Sequence, residues 1–485
     1  MTEYQILADR VLEGPRELKI AGKGDVIVAG GGPTGLVAAI AAAREGANVW
    51  LVESMSFLGG VATGSMMAAL VASHWATGIS LELVDRLADR GGAVRWDPTA
   101  DRTGTTPFDP EEFKAVALEM VSEAGVNLLF YTSVVAPIAV DGVVKGVIIE
   151  SKSGRQALLG HTVLDCTGDA DLAAQAGAPF MVGRESDNLM RPFALLFRLG
   201  GLDIDRIMEY AESNPLEIQP QYRQGTWLKA GNERIVSRVS GFYELVEQAK
   251  AEGGLYPECH YFRLENLWVD RGTAICNTTR IYYMDGTDVK DLTKGEIEAR
   301  QQMKKLVEFA RKYIPGCENA FVIDVAPRMG VRETRRIVGE YSLTDEDAYN
   351  DARFDDAFMT LKGSLVKRPV PIELDVHMPD PIEGSEKDLL ERYPERVPRE
   401  QHEYQVPFRA MLPKGVDNLL VAGRTISVSH MIDGGTRNML ACMRMGQVAG
   451  TAAAMSARNR VSPKTLNFKE VKAALIEQGV SGLDA

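Results

Sequence analysis

Residues 25–63 read DVIVAGGGPTGLVAAIAAAREGANVWLVESMSFLGGVAT, and this stretch decides the fold. Asp25 to Ala29 is a short β-branched apolar run, the signature of a strand buried on both faces. Gly30-Gly31-Gly32-Pro33-Thr34-Gly35 follows at once and fits the spacing G-x-G-x-x-G. LVAAIAAAREG (36–46) then reads as an Ala-rich helix closed by Gly46, and NVWLVE (48–53) as a second strand ending on an acid. Strand, glycine turn, helix and strand make one βαβ unit. In such a turn Gly30 makes the tight bend and Gly32 lets a pyrophosphate approach the backbone. Gly35 brings the helix close to the strand, and the helix N-terminus supplies a positive dipole. Pro33 and Thr34 complete the turn, and Glu53 stands where an acid accepts the hydroxyls of an adenosine ribose and repels a 2′-phosphate. Just upstream, ELKIAGKGDVIVA (17–29) reads as two extended stretches meeting at a Gly-Lys-Gly turn.

Outward from this unit, EEFKAVALEMVSEA (111–124) is an amphipathic helix with acids in its first turn. Short strands follow through 127–151, and HTVLDCTGDADLAAQAG (161–177) gives another buried strand, a Gly-Asp turn and a helix. From about 186 to 404 the pattern changes. Charges cluster, periodicity is mixed, and KGEIEARQQMKKLVEFARKY (294–313) reads as a solvated amphipathic helix. The buried pattern returns with DNLLVAGR (417–424) and the small-residue helix NMLACMRMGQVAGTAAAMSAR (438–458). The expected architecture is α/β: a Rossmann-like nucleotide-binding domain with a parallel sheet (1–185 and 405–485), interrupted by a large α+β substrate or cap domain (186–404).

The chain has 485 residues, 45% hydrophobic and 25% charged, with a net charge of −13. That sign argues against nucleic acid as a partner. Five separated cysteines and six histidines suggest neither a disulfide framework nor a metal site. The opening MTEYQILADR carries charges and no apolar core, and no uncharged apolar run is long enough to span a bilayer. The expectation is a cytoplasmic, homo-oligomeric protein acting on a small molecule.

The quoted stretch resembles the N-terminus of FAD-dependent oxidoreductases of the glutathione-reductase-type fold, on the branch of the fumarate reductase and succinate dehydrogenase flavoproteins. LDCTGDADLAAQAGAP (164–179), GVRETRRIVGEYSLT (330–344), YQVPFRAMLPKGVDNLLVAGRTISVSH (404–430) and MGQVAGTAAAM (445–455) are similar to later motifs of that family. Residues 200–325 match no such motif. The resemblance implies FAD held by Gly30, Gly32, Pro33, Thr34, Gly35, Glu53, Ser54, Gly59 and Gly60, with Val134 beside adenine and Gly168 and Asp169 at the adenosine end. It places Gly423 against the ribityl chain, where many relatives carry Gly-Asp and this chain has Gly423-Arg424. It also sets the N-terminus of the last helix, at Asn438 and Met439, against the isoalloxazine. His74 stands too far past Gly60 to match the histidine that attaches flavin covalently, so noncovalent FAD is expected.

For catalysis, His430 and Arg437 occupy the place where fumarate-reductase-like relatives bind a substrate carboxylate, and Arg332 is a candidate carboxylate clamp. Arg335 and Arg336 read as structural partners of Glu333 and Glu340. His74-Trp75 could line the flavin pocket, and Cys442 reads as an apolar filler. A second G-x-G-x-x-G and a C-x-x-x-x-C redox pair are absent from the sequence. The leading expectation is hydride transfer between flavin N5 and a small organic substrate, with carboxylates among the candidates and the electron donor or acceptor left open. The alternatives are a subunit of an electron-transfer complex and a tRNA-modification-like flavoprotein.

Overall fold

The computed structural model describes residues 4–71, 76–95, 105–219, 227–365 and 400–483. Its first sheet is built on strand β1 (Lys19–Ala29), followed by helix α1 (Pro33–Arg44) and strand β2 (Val49–Val52). β3 (Asn127–Leu129) lies parallel to β2. β4 (Ser133–Val140), β5 (Val143–Ser151) and β6 (Gly154–Asp165) form an antiparallel meander. The seven-stranded sheet runs β3-β2-β1-β6-β5-β4, and its last member, β13 (Leu419–Val421), lies parallel to the C-terminal end of β6. A sheet parallel on one side and antiparallel on the other, with helices packed on it and a second sheet beside it, is a mixed α/β fold of the nucleotide-binding type.

One detail departs from the sequence reading. Residues 19–29 form a single continuous strand, paired along its length with β6, not two stretches around a turn. Gly22 and Gly24 serve packing: a Cβ on Gly22 would lie 2.3 Å from the Trp50 ring, and one on Gly24 would lie 2.7 Å from the Asn48 carbonyl.

The second sheet has six strands. These are β7 (Phe197–Gly200), β8 (Trp227–Ala230), β9 (Glu233–Gly241), β10 (Phe262–Trp268), β11 (Thr273–Cys276) and β12 (Phe321–Val325), in the order β8-β9-β10-β11-β7-β12. Helix α2 (Val289–Tyr313) covers one face: Leu306, Phe309 and Ala310 join Phe262, Leu264 and Leu267 in one core. Elsewhere in the 186–404 stretch, Phe193, Leu343, Phe358 and Tyr404 belong to the core of the first sheet.

Helices α3 (His430–Thr436) and α4 (Met439–Asn459) complete the first layer. α4 crosses α1 at backbone contact: a Cβ on Gly446 would lie 2.2 Å from the Thr34 carbonyl oxygen, and one on Gly450 equally close to that of Ala38. Overpacking a rigid site of this kind typically costs about 1–3 kcal/mol. Gly450→Val is therefore expected to lower stability by about 3 kcal/mol, read as a downward shift in the urea midpoint. An unchanged midpoint would mean that the two helices separate freely.

Candidate functional site

The turn after β1 owes its shape to two close approaches. Gly30 takes φ +95°, and a Cβ on Gly35 would lie 1.8 Å from the Gly30 carbonyl oxygen. Glu53, at the end of β2 and only 6% exposed, locks the turn: its Oε2 accepts from the Gly31 N–H at 2.8 Å. Its Oε1 accepts from the Met55 N–H at 2.7 Å and the Ser54 hydroxyl at 3.1 Å. No side chain caps α1 at Gly32, so the N-terminal end of the helix is left to an external acceptor.

That end opens into a cavity of about 1150 Å³ running between the two sheets. Of the residues expected at a dinucleotide, Gly30, Gly32, Pro33, Thr34, Glu53, Ser54, Gly60, Val134, Gly168, Asp169, Gly423, Asn438 and Met439 line it. Gly35 and Gly59 stand outside the lining. Gly35 packs on Gly30, and the Gly59 N–H donates to the Gly31 carbonyl at 2.9 Å, so both shape the turn from behind. Asn438 begins α4 without a side-chain cap, which gives the cavity a second open helix N-terminus. Arg424, which stands where relatives carry an acid, ties the wall together. It donates to the carbonyls of Gly168 and Val331 and pairs with Asp169 at 2.5 Å. His74 and Trp75 lie outside the described residues.

The three expected catalytic residues separate. Arg332 and Arg437 line the cavity; His430 is not among the lining residues. The His430 ring is turned to Glu333, with Nδ1 2.8 Å from Oε1. It belongs to a buried charge cluster. Arg191, fully buried, pairs with Asp433 at 2.5 Å and donates to the His430 carbonyl at 2.7 Å, and Arg336 pairs with Glu333. Arg335 instead binds Asp171 at 2.9 Å, and Glu340 binds Lys464 at 2.7 Å. Burial pushes the Glu333 carboxyl up, but Arg191, His430 and Arg336 outweigh it and hold it at about 2.

A carboxyl depressed in the folded state stabilises fully above its unfolded pKa, and that contribution is lost as pH falls toward the folded value. Glu333 should therefore contribute about 2–3 kcal/mol that disappears between pH 4.5 and about 2. In Glu333→Gln the stability should fall less steeply over that range in acid denaturation. An equal slope in both proteins would refute this. His430→Ala removes one partner of Glu333 and should lower stability by about 1–3 kcal/mol, with turnover falling less than about tenfold. A turnover loss of about 10²-fold at unchanged stability would instead return His430 to the reacting atoms.

Ser237, Arg238, Arg263 and Glu265 of the second sheet, and Asn277 just past β11, also line the cavity. They come from the stretch without motifs, and sequence reading missed them. The alternation Phe262-Arg263-Leu264-Glu265 in β10 is the signal that could have found them, but the same alternation marks an ordinary strand with one wet face.

The sequence matches the family described as FAD dependent oxidoreductase over residues 25–475. The chain belongs to the FAD-dependent oxidoreductases. FAD is its cofactor, and the two uncapped helix ends and the locked acid beside the glycine turn suit its pyrophosphate, ring and ribose. No curated protein matches the sequence. Among solved structures, the oxidoreductase is similar to a geranylgeranyl bacteriochlorophyll reductase-like protein from Thermoplasma acidophilum. Identity is 15%, the match covers 94% of this chain and 84% of that one, and the TM-score is 0.47. It is also similar to the myxobacterial chondrochloren halogenase CndH (12%, 94% and 79%, 0.48) and to L-proline dehydrogenase from P. horikoshii (12%, 94% and 98%, 0.41). Among the described residues, no helix of this oxidoreductase is long and apolar enough to cross a membrane.

Proposed function

We propose that this flavoenzyme oxidises or reduces a small organic acid whose carboxylate is held by Arg332 and Arg437, as expected of the fumarate-reductase-like branch. FAD, when bound, supplies the hydride donor or acceptor at N5. The observation that carries the reading is the state of the two arginines. Both line the FAD cavity, and among the described residues Arg332 has no carboxylate partner; it donates to the Pro192 carbonyl. The nearest carboxylate to Arg437 is Asp433, at 3.8 Å. Burial, and then the neighbouring Arg280 and Arg437 guanidiniums, disfavour the charge on Arg332; for Arg437 burial and Arg191 act the same way. Two guanidiniums lining one cavity without a close carboxylate are complementary to an anionic ligand, and a guanidinium fork fits a carboxylate bidentately.

In this reading the FAD is noncovalent, with Val134 beside adenine, Gly168 and Asp169 at the adenosine end, and Asn438 and Met439 at the ring. Residues 186–404 act as the substrate domain, because the polar cavity wall from β9 to β11 comes from that stretch. An anaerobic screen of organic acids and their oxidised counterparts, following the visible flavin band, tests the proposal. Bleaching by an acid, or reoxidation of photoreduced protein by its unsaturated or keto partner, is expected. Equal response to the corresponding amides and esters would overturn the carboxylate site.

A further inference from the structure

The strands of the second sheet give the cavity one carboxylate among their arginines. Glu265, 2% exposed, points from β10 into the cavity. Arg238 Nε lies 2.9 Å from its Oε1, and Arg263 Nη1 lies 3.9 Å away. Burial would push the Glu265 carboxyl up, but Arg238 and Arg263 outweigh it and keep it below the usual carboxylate range, so the group is an acceptor only. The Asn277 side chain also hydrogen-bonds Glu265, and an ionised carboxylate offers about four lone-pair sites, more than these three neighbours use.

The backbone beside Glu265 is bent to present it. Asn266 sits in the left-handed region at φ +50° inside a strand, where the register between β10 and β11 shifts. Its Nδ2 donates to the carbonyls of Ala68 and Phe108 and so pins the strand to the first domain. A non-glycine residue held at positive φ is costly, and bulges next to sites re-aim side chains.

We propose that Glu265 accepts a hydrogen bond from a substrate hydroxyl, so that the substrate is a hydroxylated organic acid. This rests on the reading that Arg332 and Arg437 hold the acid group. Arg263 connects the two places, since it lies beside Glu265 and also acts on Arg332. A second carboxylate of the ligand would be repelled by Glu265. An ammonium group would meet the guanidiniums of Arg238 and Arg263 at the same point. A hydroxyl is a neutral donor that suffers neither repulsion, and Ser237 on the same wall can donate to its oxygen.

The test is a titration of the FAD-loaded protein with two matched pairs of acids, succinate with malate and 3-phenylpropionate with 3-phenyllactate, followed by perturbation of the visible flavin spectrum. In at least one pair the hydroxylated acid should bind at least about tenfold more tightly. In Glu265→Gln, which keeps an acceptor but removes its charge, that preference should fall to about threefold or less while the plain acid binds nearly as before. Equal binding within both pairs would overturn the proposal, as would a preference untouched in Glu265→Gln or an equal loss for both members of a pair. If Glu265→Gln does not fold, the comparison within pairs on the unaltered protein decides alone. Failure of all four acids to bind would instead overturn the anion site at Arg332 and Arg437, and the hydroxyl site with it.

Discussion

Glu53→Ala is expected to weaken FAD binding by about 3–4 kcal/mol, roughly 10²–10³-fold in Kd, because the residue does two jobs at once. It accepts from the Gly31 and Met55 N–H groups, which fixes the turn before any ligand arrives, and the proposed FAD site gives it the ribose hydroxyls as a second set of donors. Hydrogen bonds to a buried ionised group contribute about 1.5–3 kcal/mol each, and the loss of preorganisation adds to the loss of contact. Glu53→Gln keeps the size and one acceptor oxygen and should weaken FAD by about half as much in free energy. Equilibrium titration of the apoprotein with FAD checks both. Unchanged affinity in Glu53→Ala would mean that the turn holds something other than an adenosine ribose.

On the proposed carboxylate site, Arg332→Gln should lower kcat/KM for an organic acid by about 3–4 kcal/mol, some 10²–10³-fold, because it removes the guanidinium side of the buried charge pair the site would form. FAD content should not change. The diagnostic readout is stability. An arginine whose charge is disfavoured by burial and by its neighbours gives up little when neutralised without ligand, so the Tm should stay constant or rise. A structural arginine would behave in the opposite way. A lowered Tm with unchanged kcat/KM would therefore remove Arg332 from the substrate site.

What the sequence made legible was local. The strand, glycine turn, helix and acid over 25–53 are dictated by backbone sterics and a helix dipole, so the residues carry their own explanation. Gly446 and Gly450 were legible for the same reason: a stripe of small residues has few uses other than close approach. His430 shows the limit. Its place ahead of α4 was readable, but the direction of its ring depends on Glu333, 97 positions away, and on the fully buried Arg191. Gly22 and Gly24 show another. Glycines that mark a turn in one dimension can be making room for a ring, here that of Trp50, in three. The polar wall from β9 to β11 was invisible because Arg263 and Glu265 alternate with apolar residues just as a solvent-facing edge does. Only the packing of the second sheet on the first turns that face inward.

The contact of α4 with α1 bears on how the chain is made. Gly446 meets Thr34, and Gly450 meets Ala38, across about 400 residues of intervening sequence. β13 likewise joins β6 only after the whole middle region has been produced. On a ribosome adding about 5–20 residues per second, the N-terminal βαβ unit waits tens of seconds for the helix that covers it. During that interval the apolar face of α1, buried from Pro33 to Ala42 in the finished protein, has no final partner. Closure of so long a loop makes the folding rate depend on non-local contacts. The second sheet, whose strands and covering helix lie within residues 197–325, is free to assemble first. Pulse-labelled hydrogen exchange during refolding would then show amides of β10 protected before those of β1, an order opposite to that of the chain.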